Sequence, residues 1–250
     1  MLAGALALVV GLVLGLLGGG GSVLTVPIFI YALHLPVKPA IAMSLCVVGI
    51  VALIGFISHW RQKTVAPKVA LIFGPFAVVA AFVGARIARH ISPTAQLITF
   101  AIVGLAGSFL MLRGGFRPSG ARNESYQFHH DRRMDVLLAL QGMGVGLLTG
   151  IIGVGGGFLI VPALVLVAGL PMRLAIGTSL LVITMNALSG FAGYVGHVAI
   201  DWNLVTWFTV VAAIGSVIGT IISKRVPQRR LRQVFGYMMI GVSLYVLYRR

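Results

Sequence analysis

Acidic residues are scarce in this chain of 250 residues, which has four Asp and Glu against 19 Lys and Arg. Charged residues of both signs make up 9% of the sequence, whereas a soluble domain carries about 25% to cover its surface. The composition therefore excludes an ordinary soluble domain. So few carboxylates leave little for acid–base chemistry, and the sequence has neither a cluster of metal ligands nor a nucleophile–base pair. We expect neither an enzyme nor a bound cofactor.

Cysteine is equally rare. Cys46 is the only one, and it lies within an apolar stretch, so an intramolecular disulfide framework is excluded. The chain also lacks the GK[ST] ending of a phosphate-binding loop, which excludes ATP hydrolysis by this chain as a source of energy. No basic segment precedes the first apolar run, which indicates a mature membrane segment and not a removable signal peptide.

Apolar residues fill the chain instead: 59% of it is hydrophobic, and the mean hydropathy is +1.05. This composition is typical of a multi-pass membrane protein, so we predict an all-α integral membrane fold in contact with lipid. The isoelectric point near 11.5 would suggest nucleic-acid binding in a soluble protein. Here the basic residues lie in short segments between apolar runs, which favours anchoring of loops at the bilayer surface and no nucleic-acid partner.

An internal duplication organises the chain. Shifted by 135 residues, Gly11–Gly115 aligns with Gly146–Arg250 without a gap. The alignment predicts a first membrane repeat at 1–115, a polar basic connecting loop at 116–133 and a second membrane repeat at 134–250. The four apolar segments of each repeat lie at about 2–33, 39–58, 68–88 and 94–112, and at about 135–169, 174–195, 203–223 and 232–248.

The opening segment of each repeat exceeds 30 residues and is interrupted by glycines, whereas one crossing needs about 20 residues. If it crossed the membrane once, Lys and Arg would divide almost evenly between the two faces. If it forms a hairpin that returns to the same face, 14 of the 19 Lys and Arg fall on one side, in accord with the positive-inside rule. We therefore predict glycine-broken hairpins, three crossings per repeat and inverted repeats. This arrangement places the central loop in the cytoplasm and both termini outside the cell (inner) membrane.

The glycine breaks predict a ligand site within the membrane. Unpaired backbone groups in lipid are costly, and two helices that restart beside one another present free N–H groups and positive dipole ends to an anion. The candidate substrate-binding residues at the two restarts are Gly20, Gly21, Ser22, Gly155, Gly156 and Gly157. The alternative is close helix packing, for which the spacing of Gly11, Gly15 and Gly18 is typical.

The paired glycine segments carry a family resemblance. Both follow the pattern G-x3-G-x2-G-x-G-G-x5-P, ending at Pro27 and Pro162, and each is followed by Leu-Pro and by a span with a serine. With Gly196 and Asp201-Trp202 further on, the chain resembles the sulfite exporter TauE/SafE family of the toluene sulfonate uptake permease group over nearly its whole length. The resemblance implies a membrane permease for small sulfur-containing anions such as sulfite, sulfonates or thiosulfate. The first half departs from the pattern, because Ala66-Pro67 stands where the second half has Asp-Trp.

Hydrogen-bond donors within the apolar spans are candidate ligands, because an oxyanion that leaves water needs them. Ser44 and Ser179 occupy the same position in the two repeats. Thr178 and Asn186 lie eight residues apart and hence on roughly one face of their helix. We assign all four to the substrate site. The alternative for the hydroxyl groups is a bond to a carbonyl group of their own helix.

Four ionisable residues are candidates for ion coupling or gating. Asp201 is the one carboxylate outside the central-loop region, and the alternative for it is a helix cap. His59 and His197 flank span ends, where histidine serves as a proton acceptor or simply lies at the membrane interface. Arg86 falls late in a span, where it attracts the anion or extends to the surface.

The leading functional hypothesis is a permease that exports a small sulfur oxyanion or organosulfonate by alternating access, driven by a proton or ion gradient, and it is compatible with a homo-oligomer. A passive anion channel is the first alternative. The second is a membrane anchor subunit of a sulfur or redox enzyme complex, docking through the basic central loop. The residues of that loop suited to docking are Tyr126, Phe128, His129 and His130.

Overall fold

The computed structural model describes residues 2–113, 132–152, 157–166 and 168–248. Ten α-helices occupy these residues. They are α1 (Leu2–Leu17), α2 (Gly20–Pro27), α3 (Val37–Arg61), α4 (Pro67–Ala88), α5 (Pro93–Arg113), α6 (Arg132–Ile152), α7 (Gly157–Leu166), α8 (Met172–Tyr194), α9 (Trp202–Ser223) and α10 (Gln228–Tyr248). A π-helical turn, Ile28–Ala32, extends α2. The central loop with its candidate docking residues lies outside the described part of the chain.

Seven of the described helices are long and apolar enough to cross a membrane: α3, α4, α5, α6, α8, α9 and α10. This confirms the predicted all-α integral membrane fold with several crossings. The helix α1 and the segment formed by α2 and its π-turn are shorter apolar helices. The equivalent of α1 in the second half is α6, which by itself is long enough to cross the membrane.

Proline and aspartate residues define where several helices begin. Pro36 and Pro171 precede α3 and α8, with extended ψ angles of 147° and 143°. The proline ring fixes φ at a value that suits the residue before a helix, and the helix begins at the next residue. Asp201 is the N-cap residue of α9, and its carboxylate oxygen accepts a hydrogen bond from the backbone N–H of Leu204 at 3.0 Å. The alternative interpretation of Asp201, a helix cap, therefore describes its geometry.

The helices α3 and α8 form the centre of the bundle. Within their most apolar windows 72% and 67% of the residues are buried, against 33–44% for the other five long helices. The two helices run antiparallel, since Gly177 near the start of α8 lies against His59 near the end of α3, and Gly190 near the end of α8 lies against Leu45 near the start of α3. Many large apolar side chains of the surrounding helices are exposed, as expected of a surface in contact with lipid.

Each broken helix packs along a helix of the other half. The helix α1 runs parallel to α9, and α6 runs parallel to α4, with backbones so close that a Cβ atom would overlap the facing carbonyl group. The close pairs are Gly11 with Ala212, Gly15 with Ser216, Gly146 with Ala77 and Gly150 with Ala81. These glycines therefore serve the close packing that is typical of membrane helices. Gly146 and Gly150 are the repeat equivalents of Gly11 and Gly15, and Ala77 and Ala81 are those of Ala212 and Ser216. The same contact therefore occurs twice, with the roles of the two halves exchanged.

Polar contacts at the two ends of the bundle are also equivalent in the two repeats. Lys38 Nζ donates to the Arg89 carbonyl at 2.9 Å, and Arg173 Nη2 donates to the Lys224 carbonyl at 2.8 Å. In each case a cation at the start of a central helix caps the carbonyl end of a neighbouring helix. The first contact lies at one end of the bundle and the second at the other, because α3 and α8 are antiparallel.

Candidate functional site

The first glycine break turns the chain back on itself. Gly18 has a φ of +71°, a conformation that glycine adopts without the penalty of a Cβ atom. A Cβ atom on Gly21 would overlap Leu14 and the Val10 carbonyl. Residues eleven positions apart along a continuous helix would lie about 16 Å apart, so the contact between Gly21 and Val10 requires that α2 fold back along α1. The first break is a helical hairpin.

The two glycine breaks touch each other. A Cβ atom on Gly19 would overlap the carbonyl group of Gly157, and one on Gly157 would overlap the Gly19 Cα atom and lie 2.6 Å from Ile183 Cδ1. Both α2 and α7 begin here. The sequence prediction that the two restarts meet thus corresponds to a backbone contact between Gly19 and Gly157. Gly155 and Gly156, the other candidates at the second restart, lie outside the described residues.

One face of α8 packs against the point where the two glycine breaks meet. The Ser179 hydroxyl lies 2.7 Å from where a Cβ atom of Gly18 would be, and Ile183 contacts Gly157. Asn186 lies one turn beyond Ile183 and seven residues beyond Ser179, on the same face of the helix. Ser179 and Ile183 contact the breaks, and Asn186 joins them by its position on the helix face. We call these three residues and the breaks, Gly18-Gly19 and Gly157, the central site.

Asn186 is the uncommitted polar group of the central site. Its side chain is fully buried, and neither its amide nitrogen nor its oxygen has a hydrogen-bond partner among the described residues. Such a group costs about 1–3 kcal/mol when nothing pairs with it. An amide can offer two N–H donors to an anion, which suits it to a substrate ligand.

The candidate hydroxyl groups bond locally. Ser44 and Ser179 are fully buried, and each donates to a carbonyl of its own helix, Ile41 and Ile176 respectively, at 2.8 Å. Ser22 likewise donates to the Gly19 carbonyl at 2.7 Å. These hydroxyl groups therefore bond to carbonyls of their own helices, which is the alternative given for them from the sequence. They would have to rotate away from those carbonyls to bind an anion. Ser44 and Ser179 remain predicted ligands on the strength of their duplication.

Thr178 links the two halves of the protein. It is fully buried, and its hydroxyl oxygen accepts a hydrogen bond from the backbone N–H of Ala66, just before α4, at 2.8 Å. This bond commits the oxygen and leaves the hydroxyl proton available. Thr178 fixes the start of α4 against α8, one residue before Ser179 of the central site.

The four ionisable candidates do not form one cluster. Arg86 is exposed, with its guanidinium 5.0 Å above the Phe82 ring, and His197 is exposed with Nδ1 3.0 Å from the Val195 carbonyl. These two and Asp201 lie toward one end of the bundle, and His59 lies buried at the other. The structure thus separates His59 from the other three, and their coupling and gating roles stay predictions.

Two residues that the sequence interpretation did not single out support the second break. Gln96 Nε2 donates to the Ile151 carbonyl at 2.9 Å, and the Tyr194 hydroxyl donates to the Gly150 carbonyl at 3.2 Å. Both acceptors belong to the last turn of α6, whose carbonyls have no partners within the helix. A buried glutamine in an apolar span is the sequence signal that could have found this support.

Comparison with known proteins agrees with these features. The profile of the family described as Sulfite exporter TauE/SafE matches residues 3–246. A probable membrane transporter protein of Xylella fastidiosa (strain Temecula1) is 33% identical over 96% of this chain and 92% of its own length. The probable membrane transporter protein YdhB of Bacillus subtilis is 26% identical over 95% of this chain and 96% of its own length. No solved structure matches this chain.

Proposed function

The chain belongs to the sulfite exporter TauE/SafE family of membrane transporters, and from that premise we propose that it exports a small sulfur-containing oxyanion such as sulfite, thiosulfate or a sulfonate. The family description and the buried, uncharged amide of Asn186, which has no partner in the described residues, support this substrate class. We propose a proton or ion gradient as the energy source and alternating access as the mechanism.

The contact between Gly19 and Gly157 is the observation that carries this proposal. It brings the starts of α2 and α7 together inside an apolar bundle, and each helix start presents unpaired backbone N–H groups and the positive end of a dipole. Asn186 adds two buried N–H donors that have no partner in the described residues. An anion bound there would replace its hydration shell with backbone and amide donors and would need no buried cation.

Inverted repeats would supply the alternating motion. The proposal is supported by the antiparallel course of α3 and α8, which occupy equivalent positions in the two halves, and by the exchanged packing of α1 on α9 and α6 on α4. Two halves related by such a pseudo-twofold axis can rock about a fixed central site and expose it to each face in turn. The repeat boundaries proposed are those of the sequence, with the connecting loop at 116–133.

We place the protein in the inner membrane with its basic face in the cytoplasm. The hydrogen bond at 2.6 Å from Arg232 Nε to the Met111 carbonyl puts the start of α10 beside the end of α5. The central loop follows α5 directly, so it and the Lys224–Arg232 cluster would share one face. That face holds most of the Lys and Arg, which the positive-inside rule assigns to the cytoplasm, and both termini would lie outside.

Flux into proteoliposomes made from the purified chain tests the proposal. Radiolabelled sulfite, thiosulfate and a small sulfonate are supplied in turn, with and without an imposed pH gradient. Saturable uptake of at least one anion that responds to the gradient is expected. Flux that ignores the gradient and saturates weakly would indicate a channel, and an absence of flux for all three would contradict the proposal and favour an anchoring role.

A further inference from the structure

A basic pocket opens at the end of the bundle opposite Arg86 and Asp201. Its volume is about 390 Å³. It lies where the end of α3, the start of α8 and the end of α9 converge. The lining residues are His59, Arg61, Gln62, Thr64, Arg173, Ser223 and Lys224.

The pocket concentrates positive charge without a counterion. Arg61, Arg173 and Lys224 contribute three cations, and no Asp or Glu lines the pocket in the part of the chain that the structure describes. Arg173 is held in place by its bonds to the carbonyls of Lys224 and Val226, while its Nε atom is buried and has no partner among the described residues. Three cations without a counterion, one of them held in place with a free donor, are suited to an anion.

His59 is the buried polar side chain of the pocket. It is 2% exposed, it lines the pocket, and its ring lies near the backbone of Gly15, although Nε2 makes no hydrogen bond of good geometry in the described residues. Its Nδ1 atom lies 2.8 Å from Thr64 Oγ1, and the Thr64 hydroxyl lies 3.1 Å from the His59 carbonyl. Either ring nitrogen of the neutral imidazole can carry the proton, so Nε2 can donate to an anionic oxygen of a ligand or accept from an O–H group.

A polar strip runs from the pocket toward the central site. Ser223 lines the pocket and donates to the Thr220 carbonyl at 2.8 Å. Thr220 Oγ1 lies 2.9 Å from the Ser216 carbonyl and 3.5 Å from the carbonyl of Gly15, three residues before the first break. These three residues of α9 are buried against α1 and α3. The strip therefore extends over two turns of helix from the pocket to the level of Gly15.

The opposite end of the bundle lacks an equivalent strip. Shifted by 135 positions, Ser216, Thr220 and Ser223 correspond to the alanines 81, 85 and 88 of α4, all fully buried. His59 corresponds to Tyr194, which bonds to Gly150. Because much of the packing is duplicated, the α9 hydroxyl groups, which have alanines as their counterparts, indicate a function specific to the basic face.

We propose that the basic pocket is a loading site that binds a small inorganic oxyanion from the face bearing Arg61, Arg173 and Lys224, ahead of its transfer along the α9 strip to the central site. The transfer rests on the proposed transport function, but the binding does not. Arg61, Arg173 and Lys224 pair with the anionic oxygens, and His59 Nε2 forms a further hydrogen bond to the anion, as donor to an oxygen or as acceptor from the O–H group of a protonated oxyanion such as hydrogen sulfite.

Binding of sodium sulfite to the full chain in nanodiscs of neutral phosphatidylcholine tests the pocket. The variants Arg61→Gln and Lys224→Gln each remove one pocket charge, and we expect each to weaken binding about tenfold. Matched controls are Lys63→Gln and Arg225→Gln, which remove the same charge from nearby exposed residues that do not line the pocket. We expect these to change the affinity less than twofold.

Equal weakening of sulfite binding in the pocket and control variants would overturn the proposal, because it would indicate an effect of general surface charge. Unchanged binding in both pocket variants would also overturn it. Thermal unfolding of each variant identifies any that fail to fold. His59→Gln retains an acceptor near the Nε2 position and should keep sulfite binding within about threefold, whereas loss of binding in His59→Leu should exceed tenfold. Equal affinity in these two variants would contradict the role of Nε2.

Two further measurements distinguish a sulfite site from a lipid site and binding from transport. Basic pockets between membrane helices also bind anionic lipid headgroups, so binding is repeated in nanodiscs with phosphatidylglycerol. Sulfite binding that persists there supports the proposal, and its complete displacement by the lipid overturns it in favour of a lipid site. Absence of sulfite flux together with binding that depends on Arg61 and Lys224 would contradict the proposed transport function and leave the pocket supported.

Discussion

Gly19 and Gly157 lie backbone against backbone, with no space for a side chain on either. Each residue borders a break in a membrane helix, and the two breaks come from opposite halves of the chain. Helix starts in such close contact bring two sets of unpaired N–H groups to one place in the bundle. The contact therefore links the packing of the protein to the binding site that we propose.

Replacing Gly157 with alanine should disrupt this contact. The added methyl group would overlap the Gly19 backbone, and overpacking of this kind costs about 1–3 kcal/mol. We expect Gly157→Ala to lower the unfolding temperature and to reduce anion flux at least tenfold. The matched control is Gly144→Ala in α6, where nothing lies within 4 Å of the new methyl group. Equal flux in the two variants would show that the contact is dispensable.

Asn186 should be a functional residue that is unfavourable for stability. Its buried amide has no partner in the described residues, so Asn186→Leu should raise the free energy of unfolding of the substrate-free protein by about 1–3 kcal/mol. The same variant should lose sulfite flux, because it removes two donors from the central site. Thermal unfolding and flux measured on the same preparation check both effects. A variant that is destabilised and inactive would indicate a structural role instead.

The duplicated serines should matter for transport more than for folding. Each hydroxyl donates to a carbonyl of its own helix, and such bonds contribute about 0.5–1.5 kcal/mol. We expect the double variant Ser44→Ala with Ser179→Ala to fold normally and to lose flux. Ser108→Ala is the control, since Ser108 makes the same kind of buried bond to the Gly104 carbonyl at 2.7 Å in α5. If the double variant transports like Ser108→Ala, neither serine is a ligand.

Periodicity and composition predict much of this fold because lipid permits few alternatives. Only helices satisfy the backbone within a membrane, so long apolar runs bounded by Pro36, Pro67, Pro171 and Pro227 convert directly into helices with nearly the expected ends. The glycine breaks were also visible in the sequence, because only glycine readily tolerates the positive φ found at Gly18.

Side-chain partnerships could not be predicted in the same way. The basic pocket assembles Arg61, Arg173 and Lys224 from the ends of three helices, and nothing in the spacing of these residues along the chain indicates that they converge. Asp201, by contrast, appeared significant because acidic residues are scarce, yet its carboxylate caps α9. Rarity of a residue type in a sequence does not distinguish a helix cap from a coupling group.

Cysteine labelling should establish the orientation in the membrane. Cys46 is the only cysteine, so a Cys46→Ala background accepts single cysteines at Lys63 and His90, both exposed and at opposite ends of α4. With the basic face in the cytoplasm, a membrane-impermeant maleimide added to intact cells should label His90→Cys and not Lys63→Cys. Permeabilised cells should label both. The reverse pattern in intact cells would contradict the orientation.

Sulfite counterflow shows whether an anion crosses the protein through the site between the glycine breaks. Proteoliposomes loaded with unlabelled sulfite receive radiolabelled sulfite outside, and the accumulation of label is followed for the native chain, Gly144→Ala and Asn186→Leu. We predict transient accumulation with the native chain and Gly144→Ala, and only the protein-free background with Asn186→Leu. Accumulation equal to that of the native chain in Asn186→Leu, or none with the native chain itself, would contradict the account.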